Sequence, residues 1–241
     1  MAKIIPDTWL VPTHLRERVG TRVGRQRAMI EGKHCLLLLH QLPKHNERER
    51  LPIAFWRSDT GAWRCFPGRD NIQTLKDHVE AVAKTLDELD DKLDVAERAT
   101  DFLALIKLAR PLQRLARNMH LALQHVRDAF PEDLEILALR DRAYELERLA
   151  ETISDDTENG MQYTIAQHTE EQAELSERIA KESHRLNTLA AVALPITAIG
   201  SILGMNLTNG LEGLPEPISF WLIVLGLFLF GWFLRSRVRA S

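Results

Sequence analysis

Oxygen-bearing side chains recur near the C-terminal end of the chain, inside runs that are otherwise apolar. Amide and hydroxyl groups come at Asn187, Thr197 and Ser201, and the triplet Gly204-Met205-Asn206 follows them. Spacings of three and four residues place such groups on one face of a helix. Uncharged oxygens can accept hydrogen bonds from the water shell of a cation, and Mg²⁺ is usually held through its water. The stripe comprises Leu186, Asn187, Ala190, Leu194, Thr197 and Ser201.

A second, overlapping stripe on the same segment consists of small residues. It comprises Ala190, Ala193, Thr197, Gly200 and Gly204. Small residues let membrane helices approach closely, so ordinary packing between helices remains an alternative explanation for both stripes. Pro195 removes one helical hydrogen bond and favours a bend or an exposed carbonyl.

Two apolar runs, 186–203 and 218–234, flank a polar linker at 204–217. Each run approaches the ~20 residues that cross a bilayer, so the sequence predicts a transmembrane hairpin. The first run carries the small and polar residues and is expected to lie inside, whereas the second is bulky all round and is expected to face lipid. Basic residues flank both runs, which predicts cytoplasmic termini, an outer linker and a basic cytoplasmic tail at 235–241. These residues are Arg178, Lys181, Arg185, Arg235, Arg237 and Arg239.

The residues Pro195-Ile196-Thr197, the Gly-Met-Asn triplet, the short loop, the second span and the basic tail together resemble the CorA family of divalent-cation channels. The loop Leu214-Pro215-Glu216 followed by Phe220-Trp221 resembles the ZntB-like branch. The resemblance implies a mainly α multi-pass protein of the inner cell membrane. It also implies a homopentamer whose long, coiled-coil-like stalk helices line a cytoplasmic funnel and enter the membrane around one pore.

The resemblance also assigns roles to individual residues. Asn206 would form a ring at the outer mouth, where Gly204 permits close backbone approach and Met205 packs the turn. Thr197 would form a polar ring deeper in the pore, and Leu186 and Leu194 would form apolar constrictions that gate by dewetting. The remaining candidates are Glu212 and Glu216, which would attract cations outside, and Asp141, Asp155 and Asp156, which are candidates for a regulatory metal.

The organisation along the chain follows from periodicity. Residues 1–70 are predicted to form a reduced cytoplasmic α/β region, 71–185 a cytoplasmic helical stalk and funnel domain, and 186–241 the hairpin. A helix over 101–128 is expected, with Thr100 as its N-cap and a kink or break at Pro111. A further helix is expected to start at Pro131 and run unbroken to Leu203, about 105 Å at ~1.5 Å per residue. Ten acidic residues between Glu145 and Glu177 predict either a cation-concentrating vestibule or a solvated acidic face.

The N-terminal region gives weaker signals. The Arg-rich residues 1–32 are expected to form a short helix or a mobile arm that is solvated, with contact to anionic lipid or a neighbouring subunit as the alternative. Three short strands are expected over 34–41, 52–57 and 62–66, the last two joined by a turn at Asp59-Thr60-Gly61. Cys35 and Cys65 lack metal-ligand spacing and are expected to be reduced and structural.

Composition excludes several functions. A formal net charge of -3 does not suggest a nucleic-acid partner. No nucleophile motif, phosphate loop or metal triad is recognisable, so an enzyme is not expected. The expected partners are other copies of the chain, membrane lipid and a transported or regulatory divalent cation. No other cofactor is expected. Mg²⁺ is favoured; transport of Zn²⁺ or another transition metal, and a non-conducting membrane-anchored scaffold or sensor, remain as alternatives.

Overall fold

The structure is a computed structural model that describes residues 4–20, 24–42, 51–204 and 218–239. It is mainly helical, with a small N-terminal β region and one very long helix, as the sequence predicts. The elements are α1 (Thr13–Glu17), β1 (Arg27–Glu31), β2 (His34–His40), β3 (Pro52–Arg57), β4 (Trp63–Phe66), α2 (Gln73–Asp94), α3 (Ala99–Ala129), α4 (Leu134–Gly204) and α5 (Ile218–Arg239). Contacts divide the chain into two compact units, Met1–Ala166 and Gln167–Ser241.

The sheet of the first unit is an antiparallel meander in the order β1-β2-β3-β4. The three predicted strands are confirmed as β2, β3 and β4, and Gly61 occupies the β3–β4 turn with φ of 85°. The sequence prediction missed β1, which is only five residues long and ends in charged residues. It pairs with β2 through a tight turn in which Gly32 has φ of 55°, a conformation that favours glycine.

The N-terminal segment is a structural layer that contains the short helix α1, as expected, whereas the expectation of a solvated arm is wrong. Alternate residues of β2 point to opposite faces, so Leu36 and Leu38 form a second core on the face away from α2 and α3. The N-terminal segment covers this core with Trp9, which stacks on Trp56 at 6.0 Å, and with Leu15, which is fully buried. The Arg16 guanidinium ties the segment together by donating to the Trp9 carbonyl at 2.6 Å.

The opposite face of the sheet packs on the helices of the first unit. Along α4 the buried positions alternate steps of three and four residues, which is the spacing of one helix face. The residues in this stripe are Ile136, Leu139, Ala143, Leu146, Ala150, Ile153 and Thr157; Ser154 beside it and Thr164 beyond it are also buried. Beyond Thr157, Phe102 of α3 lies on Gly160; a Cβ atom at Gly160 would come 2.8 Å from Phe102 Cζ.

The helices α3 and α4 both start at residues other than the predicted ones. Arg98 is the N-cap of α3, and its backbone N–H donates a hydrogen bond to the Asp101 carboxylate at 3.2 Å. Thr100, the predicted N-cap, therefore lies inside the helix. Pro111 lies within α3 without splitting it. Pro131 lies in the turn before α4, and Asp133 caps this helix by accepting from the Ile136 N–H at 3.2 Å.

The same Asp133 carboxylate ties the start of α4 to the sheet. Its other oxygen lies 3.5 Å from Nη2 of Arg57, a residue at the end of β3. The Arg57 guanidinium also lies 4.2 Å from the centre of the Phe130 ring, in the turn before α4. One aspartate therefore serves as a helix cap and as an ion-pair partner.

Candidate functional site

The second unit contains the C-terminal part of α4 and the helix α5. They meet at Gly231, where a Cβ atom would lie 3.2 Å from both Val192 Cγ1 and Ile196 Cδ1. The absence of a side chain at Gly231 lets the two helices approach closely, as small residues do at membrane helix interfaces. By length and composition, one described helix is able to cross a membrane, namely α4, and its apolar window is not buried. The apolar part of α5, Trp221–Phe233, is shorter.

The contact at Gly231 defines two sides of α4. The α5-facing side consists of half-buried residues: Thr188, Ala191, Val192, Pro195, Ile196 and Ile199. On α5, the less exposed residues also share one face with Gly231: Ile223, Val224 and Leu227. The α5 helix, predicted from sequence to be bulky all round, therefore turns one particular face toward α4.

The predicted stripe lies on the other side of α4. Leu194 is two residues from both Val192 and Ile196, which on a helix of 3.6 residues per turn places it about 200° from each of them. The structure brings the six predicted residues onto this side, where all are exposed. We call them the open face: Leu186, Asn187, Ala190, Leu194, Thr197 and Ser201.

The open face carries one hydroxyl whose hydrogen bond is defined. Thr197 Oγ1 donates to the Ala193 carbonyl at 2.8 Å, within the same helix. Because its hydrogen is used there, the Thr197 oxygen presents only lone pairs to the open face and can act as an acceptor. Thr188, on the α5-facing side, donates to the His184 carbonyl at the same distance of 2.8 Å. The two threonines have the same local geometry and lie on different sides of the helix.

The Gly-Met-Asn triplet lies at the limit of the described residues. Gly204 is the last residue of α4. Met205, Asn206, Glu212 and Glu216 lie outside the described residues, so their predicted roles stay predictions.

The three candidates for a regulatory metal are not brought together. Asp141 is half exposed and lies 3.1 Å from Arg140 Nη1. Asp155 and Asp156 are exposed residues about 21 Å further along the same helix, at ~1.5 Å per residue. Within residues 4–20, 24–42, 51–204 and 218–239, no group of three or more His, Cys, Asp or Glu side chains is arranged to hold a metal ion.

The comparison with protein families decides the assignment. The family model described as CorA-like Mg²⁺ transporter protein matches residues 68–235, which is more than half of the chain. The chain belongs to the CorA family. No curated protein sequence matches it significantly.

Solved structures support the fold of this CorA-family chain. The structure of the full-length CmaX protein aligns with a TM-score of 0.57 at 15% identity and covers 97% of this chain and 83% of that one. The cytoplasmic domain of ZntB from Vibrio parahaemolyticus RIMD 2210633 aligns with a TM-score of 0.51 at 13% identity, covering 67% and 80%. The CorA magnesium transporter from Methanocaldococcus jannaschii aligns at 0.48 and 14% identity, covering 96% and 84%. The first two likenesses show a shared fold.

One electrostatic relationship in this CorA-family chain was not predicted from the sequence. It joins acidic residues at the end of α2 to acidic residues of α4. In the structure they influence one another, because partial burial and then the carboxylates around it raise the pKa of Asp90. Those carboxylates are Asp94, Asp91 and Asp87 on α2 and Asp156 on α4. The first unit therefore carries a negative surface built from two helices.

Proposed function

We propose that the chain transports divalent cations across the cell membrane through a central pore formed by several copies, and that Mg²⁺ passes as a hydrated ion. The observation that carries this proposal is the separation of the two sides of α4. The bulky helix α5 packs on one side, and the open face, with its amide and hydroxyl groups, is left exposed on the other. An exposed polar stripe on a membrane helix is stable where it lines a water-filled path.

Membrane insertion follows from the two apolar segments. We place residues 186–203 and 218–234 in the membrane, with the linker outside and both termini in the cytoplasm. Basic residues before the first span and after the second support this orientation. Five copies of α4 around the axis, as in the family that the sequence resembles, would turn each open face toward the pore and each α5 toward lipid.

The chemistry of the open face favours a cation that keeps its water. From Leu186 to Leu203 the sequence holds no Asp, Glu, Lys or Arg, so no carboxylate is available to replace the hydration shell. The Thr197 oxygen accepts hydrogen bonds, and the water molecules around a cation donate them outward. The apolar side chains of Leu186 and Leu194 would narrow the path and control wetting.

The remaining predicted residues complete the path. Asn206 would receive the hydrated ion at the outer mouth, with Glu212 and Glu216 enriching cations nearby. The negative surface of α2 and α4 would raise the local concentration of divalent cations on the cytoplasmic side. The cation is the cargo of this site, and no resident cofactor is needed.

The direct test is ion flux into proteoliposomes that contain the purified oligomer. Mg²⁺ and Zn²⁺ are supplied separately, and entry is followed with a trapped fluorescent indicator. We expect Mg²⁺ entry that Asn206→Ala abolishes and that Asn159→Ala leaves intact, since Asn159 is an exposed amide of the first unit. If only Zn²⁺ entered, the transported ion would be Zn²⁺ and the proposal of Mg²⁺ would be contradicted. Absence of flux of either ion from a correctly assembled oligomer would contradict transport and favour a scaffold.

A further inference from the structure

Three basic residues precede the first apolar run of α4 on one particular side of the helix. Arg178, Arg185 and Val192 are spaced by seven residues, and eleven residues separate Lys181 from Val192. Steps of seven and eleven residues return to within about 20° of the same face of an α-helix. Because Val192 contacts α5 at Gly231, the three cations continue the α5-facing side. We call Arg178, Lys181 and Arg185 the basic collar.

The collar is accessible within the second unit. All three side chains are exposed. Lys181 Nζ lies 2.6 Å from Glu177 Oε1, with the two side chains 70% and 66% exposed. An exposed pair of this kind contributes little to stability and exchanges readily with another anion.

The backbone of α5 extends to the same level as the collar. This helix continues through Arg239, beyond its contact at Gly231. In an antiparallel hairpin, the four to eight residues after Gly231 run alongside the part of α4 that precedes Val192. Residues 235–239 of α5 therefore run near the level at which the collar meets the first apolar residue, Leu186.

From this placement we propose that the basic collar binds the headgroup phosphates of anionic phospholipids in the cytoplasmic leaflet. The proposal rests on the membrane insertion proposed above. The collar shares the side of α4 that carries α5, which is the side turned toward lipid, and it lies on the opposite side from the open face. Because its side chains are positively charged, the collar is complementary to an anionic headgroup. Because it lies on the side away from the open face, it does not line the path proposed for the cation.

Position along the helix gives each member of the collar a different depth. Arg185 directly precedes the apolar run, whereas Lys181 and Arg178 lie about 6 Å and 10 Å further from the membrane at ~1.5 Å per residue. The headgroup region of one leaflet is roughly 5–8 Å thick. Arg185 thus lies within it, Lys181 lies at its edge, and Arg178 reaches it only through the length of its side chain.

The test measures lipid binding and needs no ion flux. The delipidated oligomer in neutral detergent is titrated with phosphatidylglycerol or phosphatidylcholine, and bound lipid is counted by native mass spectrometry. We expect preferential binding of phosphatidylglycerol that Arg185→Gln weakens by about fivefold, as expected for one cation near a charged surface. Lys181→Gln should weaken binding less, and Arg178→Gln least.

The control removes the same charge elsewhere. Lys84, Lys92 and Arg114 are exposed in the first unit, and the triple variant K84Q/K92Q/R114Q should bind phosphatidylglycerol as the parent protein does. Equal binding by the parent and by R178Q/K181Q/R185Q, both eluting as intact oligomers, would overturn the proposal. So would competition by soluble glycerol phosphate at the same concentration, because it would indicate a free phosphate site. If transport fails while this lipid preference holds, the proposed function alone is contradicted.

Discussion

Gly231 of α5 lies against Ile196 of α4 so closely that a Cβ atom would come 3.2 Å from Ile196 Cδ1. This contact shows which side of α4 is covered within the second unit and which side is left exposed. The open face and the basic collar are both defined relative to this contact.

The contact can be tested with two glycines of the same helix. Gly231→Leu inserts a side chain into the α4–α5 interface and should destabilise the hairpin by about 1–3 kcal/mol, the usual cost of overpacking. Gly226 is the matched control, because nothing lies within 4 Å of a Cβ atom placed there. Thermal unfolding of the two variants in detergent, followed by loss of the oligomer peak, measures the difference. An equal loss in both variants would be evidence against this interface.

Asp133 separates a capping effect from a charge effect. It caps α4 and pairs with Arg57. Asp133→Ala loses both interactions and should cost about 1–2 kcal/mol. Asp133→Asn keeps a good N-cap and loses only the pairing, so it should retain most of that stability. Chemical unfolding of the full chain in detergent compares the two, and equal destabilisation by both variants would show that the cap is unimportant.

His78 predicts how stability depends on pH. Burial lowers the pKa of His78 from its ordinary value of 6.5 to about 4, and its ring lies 6.3 Å from that of Phe55. The folded chain keeps the ring neutral while the unfolded chain takes up a proton as pH falls below about 6.5. Stability contributed by the neutral ring is therefore complete above pH 6.5 and is lost progressively down to about pH 4.

The size of this effect follows from the shift. At 1.36 kcal/mol per pKa unit, the stability lost between pH 6.5 and pH 4 should reach about 3 kcal/mol. His78→Leu removes the titrating group and should lose less stability than the parent protein between pH 6.5 and pH 4. Thermal unfolding in detergent across this range measures the difference. Parallel pH profiles for the two proteins would contradict a buried, neutral His78.

Thr197 and Thr188 test the chemistry of the open face. Each donates its hydroxyl to the carbonyl four residues earlier at 2.8 Å, so replacement by valine removes the same hydrogen bond and keeps the shape. Thr197→Val also removes an acceptor from the open face and should lower Mg²⁺ flux about tenfold, in line with hydrogen bonds near a charge. Thr188→Val should leave flux unchanged. Equal effects in the proteoliposome assay would show that the lost helix bond, and not the side of the helix, is responsible.

Secondary structure was predictable from the sequence where a long segment has a uniform pattern. It was not predictable where tertiary contacts determine the conformation. The helix from Leu134 to Gly204 is predictable because no Pro interrupts the chain between Pro131 and Pro195. The N-terminal layer was not predicted because its apolar residues, such as Trp9 and Leu15, stand among Arg and Pro residues and follow neither helix nor strand periodicity. The strand β1 was missed because it is short and its ends are charged.

The two stripes on α4 show a different limit. Ala190 and Thr197 belong to both stripes, so sequence could not determine which side of the helix meets α5. The position of Gly231 against Val192 and Ile196 makes that distinction in the structure. The residues of the Gly-Met-Asn triplet after Gly204 lie outside the described residues, and the role of Asn206 depends on the flux experiment.

Two native cysteines make a direct test of the open face feasible. Cys35 and Cys65 are free and buried, as the sequence predicts. Burial raises the pKa of each thiol to about 12, so few native thiolates are available to react at neutral pH. A cysteine introduced into α4 can therefore be labelled with little background.

The most direct measurement is block of flux by a charged methanethiosulfonate reagent in proteoliposomes. It compares Ser201→Cys, on the open face, with Ile199→Cys, on the α5-facing side. The proposed mechanism predicts that the reagent stops Mg²⁺ entry through the Ser201→Cys protein and leaves the Ile199→Cys protein active. Block at Ile199→Cys with continued flux through Ser201→Cys would contradict the assignment of the open face to the pore.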